Sequence, residues 1–178
     1  MPLELIAAPA AEPVTLDQAK AWLRVESGND EDGLISALIP AARARAEWHT
    51  GRAFVSQRWT LWLDRSDGRI ELPLPPLQSV ESVTLYAPDG AASLLDPDAY
   101  AVAGQHLLLG TAPAGLRAAN GIAVAFTAGY GAASDVPPAI GQAILALVAS
   151  LYEHRGGDGA PMPDNALALL APYRTIKL

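Results

Sequence analysis

The chain of 178 residues contains no cysteine, which excludes a disulfide framework, a zinc ribbon and a thiol nucleophile. Only 17% of the residues are charged while 51% are hydrophobic, so apolar surface is expected to be buried against partner subunits. The formal net charge of -7 argues against a surface that grips phosphates, and direct nucleic-acid binding is not expected.

The apolar segments give no sign of export or membrane insertion. The first residues, MPLELIAAPAAEP, have neither a basic start nor an apolar stretch long enough for a signal peptide. No later segment approaches about 18 uninterrupted apolar residues, the length of a membrane-spanning helix. The sequence therefore predicts a soluble protein that is synthesised in the cytoplasm and has no membrane contact.

Two helices are predicted in the first third of the chain. Thr15 is followed three residues later by Gln18, which is the spacing of a capping box, and apolar residues at helical spacing predict a helix over residues 16–25. A longer helix is expected to begin near the acidic cluster at residues 30–32, whose charges suit the positive end of a helix dipole. It should end at Thr50, just before a glycine.

From Gln57 onward the apolar period changes to that of a strand. In QRWTLWLD, apolar residues at 59, 61 and 63 alternate with their neighbours, which predicts a strand with one buried face. Further strands are predicted at Arg69–Leu72, Val80–Tyr86, Tyr100–Val102, His106–Leu109 and Ile122–Phe126. About six short strands separated by turn residues predict a small antiparallel sheet or sandwich.

The last part of the chain returns to a helical pattern. A third main helix is predicted at Pro138–Glu153, followed by a loop and a short helix at Asn165–Leu170. Pro172 then begins a tail, PYRTIKL, that cannot continue a helix. The sequence thus predicts an α+β fold with about three main helices, a short C-terminal helix and an antiparallel β-rich region between the helices.

Two glycines, Gly129 and Gly131, precede the third helix and raise the question of a phosphate-binding turn. A phosphate-binding loop requires Gly-Lys-Ser/Thr at the helix start, but this chain has Ala-Ser-Asp there, and Asp135 would repel an anion. We therefore expect the glycines to supply turns with positive φ. Ser134 or Asp135 is expected to cap the helix, with a proline in its first turn.

The three histidines, His49, His106 and His154, do not have the spacing of a metal site. They lie at a helix end, on a strand and at a second helix end, and none is paired with another at i, i+4. Helix-end histidines commonly interact with the helix dipole instead. No metal-binding or cofactor-binding residue is assigned from the sequence.

Three carboxylates, Asp64, Asp67 and Glu71, offer the strongest candidate for catalysis. A glycoside hydrolase needs two acids across a cleft, and Asp64 with Glu71 is one possible pair. However, Asp64 and Asp67 flank Gly68 in what is expected to be a hairpin turn, where aspartate is common for local reasons. A hydrolase stays open as an alternative, but no catalytic residue is assigned.

Aromatic residues of the β-rich region allow two further interpretations. Trp59 is expected to lie in the core, whereas Trp62 on the opposite face is either covered by a helix or exposed to a partner subunit. The alternative is a small-molecule-binding module of unknown ligand, with Trp59, Trp62 and Tyr86 lining its pocket. That alternative predicts a monomer or dimer with a closed apolar cavity.

The chain end carries residues that a free tail does not normally have. Tyr173, Arg174, Ile176 and Leu178 alternate after the helix-stopping proline. This pattern is typical of a segment that packs on its own domain or reaches into a neighbouring chain by strand addition or groove docking. Of the two, docking on a neighbour is favoured.

Several motifs together resemble the head-tail connector, or adaptor, proteins of tailed bacteriophages and gene transfer agents. They span nearly the whole chain and are LISALIPAARARAEWHTGRAF (34–54), QRWTLWLD (57–64), LPLPPLQSVESVTLY (72–86), FTAGYGAASDVPPAIGQAILALVASLYEHRG (126–156) and LLAPYR (169–174). The most specific of these motifs are the TGR step at residues 50–52 and the Asp-Val-Pro-Pro helix start at residues 135–138. All of the motifs are structural, and none carries chemistry.

The resemblance implies a structural protein rather than an enzyme. It implies a ring of about a dozen copies in the neck of a virion or phage-like particle, bound to the portal protein on one side and to a stopper or tail-terminator protein on the other. DNA would pass through the ring without specific binding. Tyr173, Arg174, Ile176 and Leu178 would then dock on the portal. Arg52 would make either a structural contact or an inter-subunit contact, so Arg52 and Trp62 are the candidate inter-subunit residues.

The resemblance also implies how the chain is divided. Residues 15–56 and 132–171 would form a helical core, interrupted by a β-rich insertion at 57–131. Residues 172–178 would be the C-terminal tail for partner docking. Residues 1–14, which are rich in alanine and proline, depart from the family pattern and are predicted to form a mobile N-terminal arm.

Overall fold

A computed structural model of the protein describes residues 2–25, 30–154 and 159–175. The chain divides into two compact units, each made of two separate stretches. We call them the β unit, Met1–Pro9 with Ser56–Tyr130, and the helical unit, Ala10–Val55 with Gly131–Leu178. The predicted α+β class is confirmed.

The helical unit contains four α-helices among its described residues. They are α1 (Leu16–Leu23), α2 (Asp32–Thr50), α3 (Pro138–Glu153) and α4 (Asp164–Leu170), with 3-10 turns at Ala133–Asp135 and Ala171–Tyr173. The predicted capping box is confirmed, because the Thr15 hydroxyl accepts from the amide of Gln18 at 3.2 Å and the Gln18 side chain accepts from the amide of Thr15 at 2.8 Å.

The core of the helical unit lies between α2, α3 and α4. Ile35 of α2, Ile144 and Leu147 of α3, and Leu170 of α4 are fully buried. Phe54, in the extended segment after α2, is also fully buried. Side chains of this size contribute about 1.5–3 kcal/mol each on burial, so packing alone stabilises a unit without disulfides.

A buried ionic cluster ties the segment before α1 to α2. Arg43 donates to Glu12 at 2.7 Å and to Glu47 at 2.5 Å, and Glu47 also accepts from the backbone amide of Phe54 at 2.7 Å. Burial acts to lower the pKa of Arg43, but the hydrogen bond to Glu12 and the nearby charge of Glu47 outweigh it and raise that pKa above its ordinary value. The guanidinium is therefore the cation that compensates two carboxylates.

In the part of the β unit that the structure describes, eight strands form two antiparallel sheets. They are β1 (Leu3–Ala7), β2 (Gln57–Leu63), β3 (Arg69–Glu71), β4 (Leu77–Tyr86), β5 (Ala92–Leu94), β6 (Tyr100–Ala103), β7 (His106–Leu109) and β8 (Ile122–Ala128). One sheet has the order β1-β2-β8-β4-β5 and the other has the order β3-β7-β6. The antiparallel arrangement predicted from the period-two pattern is confirmed.

The centre of the larger sheet is the pairing of β8 with β2 and β4. Val124 lies opposite Leu61 on one side and Val83 on the other, and all three side chains are buried. Phe126, two residues along β8, is also fully buried. The alternation expected for a strand with one buried face thus sets the register of the sheet.

The N-terminal residues differ from the prediction. Residues 1–14 were expected to form a mobile arm, but Leu3–Ala7 form β1, which pairs antiparallel with β2 at the sheet edge. Val14 is buried in the helical unit. The strand sequence LELIA has three consecutive apolar residues at 5–7, so it lacks the alternation that would have identified it. Leu5 and Ile6 are exposed.

The turn that contains Asp64, Asp67 and Gly68 is not a hairpin. β2 and β3 flank this turn but lie in different sheets, and β3 pairs with β7 instead. The carboxylate of Asp67 accepts from the backbone amide of Arg69, and Gly68 has φ +104°. The aspartate and glycine therefore serve a connection between sheets, for the local reasons that turns favour these residues.

A polar cluster on the outer surface of the larger sheet bridges three adjacent strands. Glu81 of β4 accepts from Arg58 of β2 at 2.7 Å and from the Thr127 hydroxyl of β8 at 2.6 Å. The hydrogen bond from Arg58, reinforced by that from Thr127, holds the pKa of the Glu81 carboxyl below its usual range. Ionised Glu81 therefore favours the folded state.

Glu81→Gln is expected to lower the melting temperature by about 1–2 °C at pH 7, because exposed ion pairs stabilise weakly. The folded-state pKa of Glu81 is lowered, so this stabilisation is present above the unfolded-state pKa of about 4.3 and is lost as the pH falls through the folded-state value. Thermal melts of both proteins between pH 3 and pH 7 should converge at the acidic end. A difference that persists there unchanged would contradict the assignment.

Candidate assembly surfaces

The glycine turn before α3 is occupied by the chain's own carboxylate. Gly129 and Gly131 have φ of +127° and +135°, which confirms the predicted positive-φ turns. Asp135 accepts from the amide of Ala132 at 2.8 Å, and its carboxylate oxygen lies 2.4 Å from where a Cβ on Gly131 would be. This turn therefore satisfies its own backbone amide, which supports a structural role.

The cap of α3 differs from the prediction. Neither Ser134 nor Asp135 caps the helix, because both lie in the preceding 3-10 turn and the Asp135 carboxylate bonds to Ala132. Pro137 is the N-cap residue, and Pro138 occupies the first helical position as expected.

The histidines and the acidic residues considered for chemistry have separate local roles. His106 lies 3.0 Å from Arg69, and His154 lies 2.8 Å from the carbonyl of Ser150. Asp64 accepts from the backbone amide of Asn120 at 2.8 Å. Within residues 2–25, 30–154 and 159–175, no three histidine or acidic side chains gather in a way that could hold a metal ion.

The aromatic residues proposed for a small-molecule pocket pack on their own unit. The indole N–H of Trp62 donates to Glu4 at 3.1 Å, and its ring lies 5.8 Å from that of Tyr86. Arg117 covers the Tyr86 ring at 4.2 Å. A cavity of about 540 Å³ in the β unit is lined by other residues, namely Leu63, 65–67 and 69–71, so the small-molecule module is not favoured.

A clamp formed by the TGR step holds the C-terminal segment against the end of α2. Arg52 donates through Nε to the backbone carbonyl of Tyr173 at 2.5 Å, and the amide of Thr175 donates to the carbonyl of Thr50 at 2.8 Å. Gly51 ends α2 with φ +68°, and a Cβ there would lie 3.5 Å from the Thr175 side chain. We call residues 50–52 with 173–175 the C-terminal clamp.

The clamp brings together two features that the sequence presented separately, the TGR step and the tail. Tyr173 is half-buried and Arg174 is exposed. Ile176 and Leu178, the other two residues assigned to docking, lie outside the described residues. Arg52 makes a contact within its own chain, so the structural role weighed for it is observed, and its inter-subunit role stays a prediction.

The most exposed large apolar side chain of the described residues lies on α2 and was not among the predicted contact residues. Trp48 on α2 is 86% exposed. Its position follows from the helical period, because it is offset from the buried residues Ile35, Ile39, Ala42 and Ala46. A helical wheel of α2 would have identified it.

No described helix is both long enough and apolar enough to cross a membrane.

The resemblance predicted from the sequence is confirmed over the first half of the chain. Residues 13–89 match the sequence model of the phage gp6-like head-tail connector protein family. This segment includes the TGR step and three strands of the β unit, β2, β3 and β4. No curated protein matches the chain.

Solved structures with the same fold come from gene transfer agent (GTA) particles. A chain in the neck of an empty GTA particle, computed with C6 symmetry, matches with a TM-score of 0.85. Chains in the virion of a native GTA particle and in the neck of a native particle computed with C12 symmetry match with TM-scores of 0.80 and 0.79. Each is 24% identical and covers 100% of this chain and 97% of its own.

Proposed function

We propose that this protein is a structural head-tail connector subunit in the neck of a phage or phage-like particle. It assembles as a ring between the portal protein and the stopper or tail-terminator protein, and DNA passes through the ring without specific binding. Its role is one of shape and contact, with no catalytic step.

The observation that carries the proposal is the extent of the structural likeness. Both units of the chain align with neck-particle chains, and the alignment covers 97% of those chains. The family match to head-tail connectors comes from sequence alone and supports the same role independently. A shared isolated domain would not produce end-to-end correspondence of a helical unit with a β unit inserted in it.

The likeness to symmetric assemblies supports a ring. One matched neck structure was computed with C12 symmetry and another with C6, and both are compatible with about a dozen copies. A ring requires a head-to-tail contact between unlike faces of neighbouring copies. The low fraction of charged residues, 17%, leaves uncharged surface available for such contacts.

The C-terminal clamp supports docking of the tail on the portal. Arg52 and Thr50 fix the backbone at residues 173 and 175, so the segment that follows starts from a defined point on the helical unit. A pre-positioned start lowers the entropy cost of ordering a short segment in a partner's groove. Tyr173, Arg174, Ile176 and Leu178 are the proposed docking residues.

Removal of residues 176–178 is expected to leave the fold intact and to reduce attachment to the portal at least 10-fold. The truncation keeps Thr175 and therefore keeps the clamp, while it removes two apolar docking residues. Thermal melting checks the fold, and co-sedimentation with purified portal protein measures attachment.

A matched variant tests the clamp itself. Arg52→Leu removes the hydrogen bond to the Tyr173 carbonyl and should weaken attachment several-fold, whereas Arg52→Lys keeps a cation and should weaken it less.

Electron microscopy of the wild-type chain mixed with portal should show a ring below the portal. Normal particles assembled with the truncated chain would count against the docking role of the tail.

A further inference from the structure

We propose that an apolar stripe on α2 is the contact through which one copy of this chain packs against the next copy. The stripe comprises Leu34, Ala37, Ala41, Ala44 and Trp48, and we call it the α2 stripe. The inference rests on the proposed function, since it identifies the face that would close the ring.

The spacing of the α2 stripe makes it continuous along the helix. Successive members are three or four residues apart, so they lie on one side of α2 over a length of about 21 Å. Every member is exposed, and Trp48 is 86% exposed. At about 100° per residue, the stripe is centred about 150° from the buried face of α2. It therefore faces away from the core of its own unit.

The charged residues of α2 do not interrupt the stripe. Asp32 pairs with Lys20, Arg43 with two carboxylates, and Arg45 donates to the backbone carbonyl of residue 160 at 2.8 Å. All of these bonds lie within the same unit. Two copies that each carry a net charge of -7 repel each other, so they approach most readily along an uncharged face.

The same unit also carries a concave surface suited to receive the stripe. A groove of about 320 Å³ is lined by Trp22 of α1, Ala149 and Glu153 of α3, and Pro161 and Pro163 before α4. Trp22 is itself 45% exposed. The α2 stripe faces away from α3, whereas α3 forms one wall of the groove. The two surfaces therefore lie on different faces of the unit.

The presence of both surfaces on one chain favours a second copy as the occupant. A contact with a different protein would need only the stripe or only the groove. A head-to-tail contact between identical subunits needs a projecting and a receiving surface on each, and such contacts close into rings. A single helix face is small compared with the about 800 Å² per partner of a stable interface, so the free chain need not form a ring on its own.

Cysteine cross-linking tests this contact directly, because the native chain contains no cysteine. Ala44→Cys on the stripe is mixed with Ala149→Cys in the groove on separate chains, with portal protein present, and the mixture is oxidised. A heterodimer is expected in high yield. As a control, Ala44→Cys is mixed with Leu94→Cys on β5, where a 70% exposed side chain lies outside the proposed contact. That pair should give at least 10-fold less product.

Trp48→Glu provides an independent test. Because the side chain is exposed, the melting temperature should change by less than about 2 °C. The number of chains retained per portal should fall at least 5-fold, because each chain would then bind through its tail alone.

If wild-type chains form rings while the Ala44–Ala149 pair gives no more product than the control, the α2 stripe is not the contact. If wild-type chains form no ring on any portal, the proposed function itself is wrong.

Discussion

Arg43→Met is expected to lower the free energy of unfolding by about 3–5 kcal/mol, because removing one partner of a buried ion pair leaves an uncompensated charge. The side chains of Arg43 and Glu47 are each 11% exposed, and Glu12 is 26% exposed. Both carboxylates lose their cation in the variant. The raised pKa of Arg43 means that the guanidinium stays charged at every pH at which the protein would be studied.

Urea denaturation at pH 7 measures this effect as a shift of the midpoint at constant slope. The double variant Arg43→Met with Glu47→Gln is the control, since it removes the cation together with the more buried anion. The amide of glutamine still has an oxygen that accepts from the Phe54 amide, so the double variant should recover about half of the loss. A loss below about 1 kcal/mol in the single variant would mean that water compensates Glu47.

Gly131→Ala is expected to cost about 2–4 kcal/mol of stability. At φ +135° an alanine is strained by about 1–3 kcal/mol, and its Cβ would lie 2.4 Å from the Asp135 carboxylate oxygen. The carboxylate would have to move and lose its hydrogen bond to the Ala132 amide, which adds about 1 kcal/mol.

Gly33→Ala is the matched control for Gly131→Ala and should change stability in the opposite direction. Gly33 lies in the first turn of α2, and a Cβ there would meet nothing within 4 Å. Alanine at a helical position is more favourable than glycine by about 0.5–1 kcal/mol. Thermal melts of both variants test the pair. Equal effects of the two substitutions would show that backbone conformation does not decide the outcome.

The elements that the sequence predicted well are those whose signals are local. The Thr15–Gln18 capping box, the glycine after Thr50 and the alternation in QRWTLWLD each act over a few residues and fixed the ends of α1, α2 and β2 closely. The bounds of α3 were predicted at Pro138 and Glu153, where they are observed. Turn chemistry and helical period suffice for features of this kind.

Pairing between distant segments could not be predicted in this way. β1 is an edge strand whose partner, β2, lies more than 50 residues away along the chain. The extended conformation of β1 depends on hydrogen bonds to that partner, which the local sequence does not reveal. β3 leaves the sheet of its neighbour β2 and pairs with β7, a choice that depends on tertiary packing and not on the turn at Gly68. Short strands carry too few residues for their own pattern to decide such choices.

The candidate surfaces show the same difference between local signals, which the sequence reveals, and contacts between distant segments, which it does not. The TGR step and the tail were each recognised from the sequence, but the hydrogen bond from Arg52 to Tyr173 spans 121 residues and is visible only in the structure. The exposed position of Trp48 follows from the helical period of α2 as a whole, and no short motif indicates it. His49 is half-buried, whereas Trp48 is 86% exposed.

The interleaving of the two units has a consequence for biosynthesis. β2 lacks its central neighbour until β8 ends at Ala128, and the apolar face of α2 is uncovered until α3 follows. At about 5–20 residues per second, roughly 6–26 s of translation pass before the β unit is complete on the ribosome. During that time the nascent chain exposes apolar surface, so recovery of intact protein should depend on expression temperature and chaperone supply.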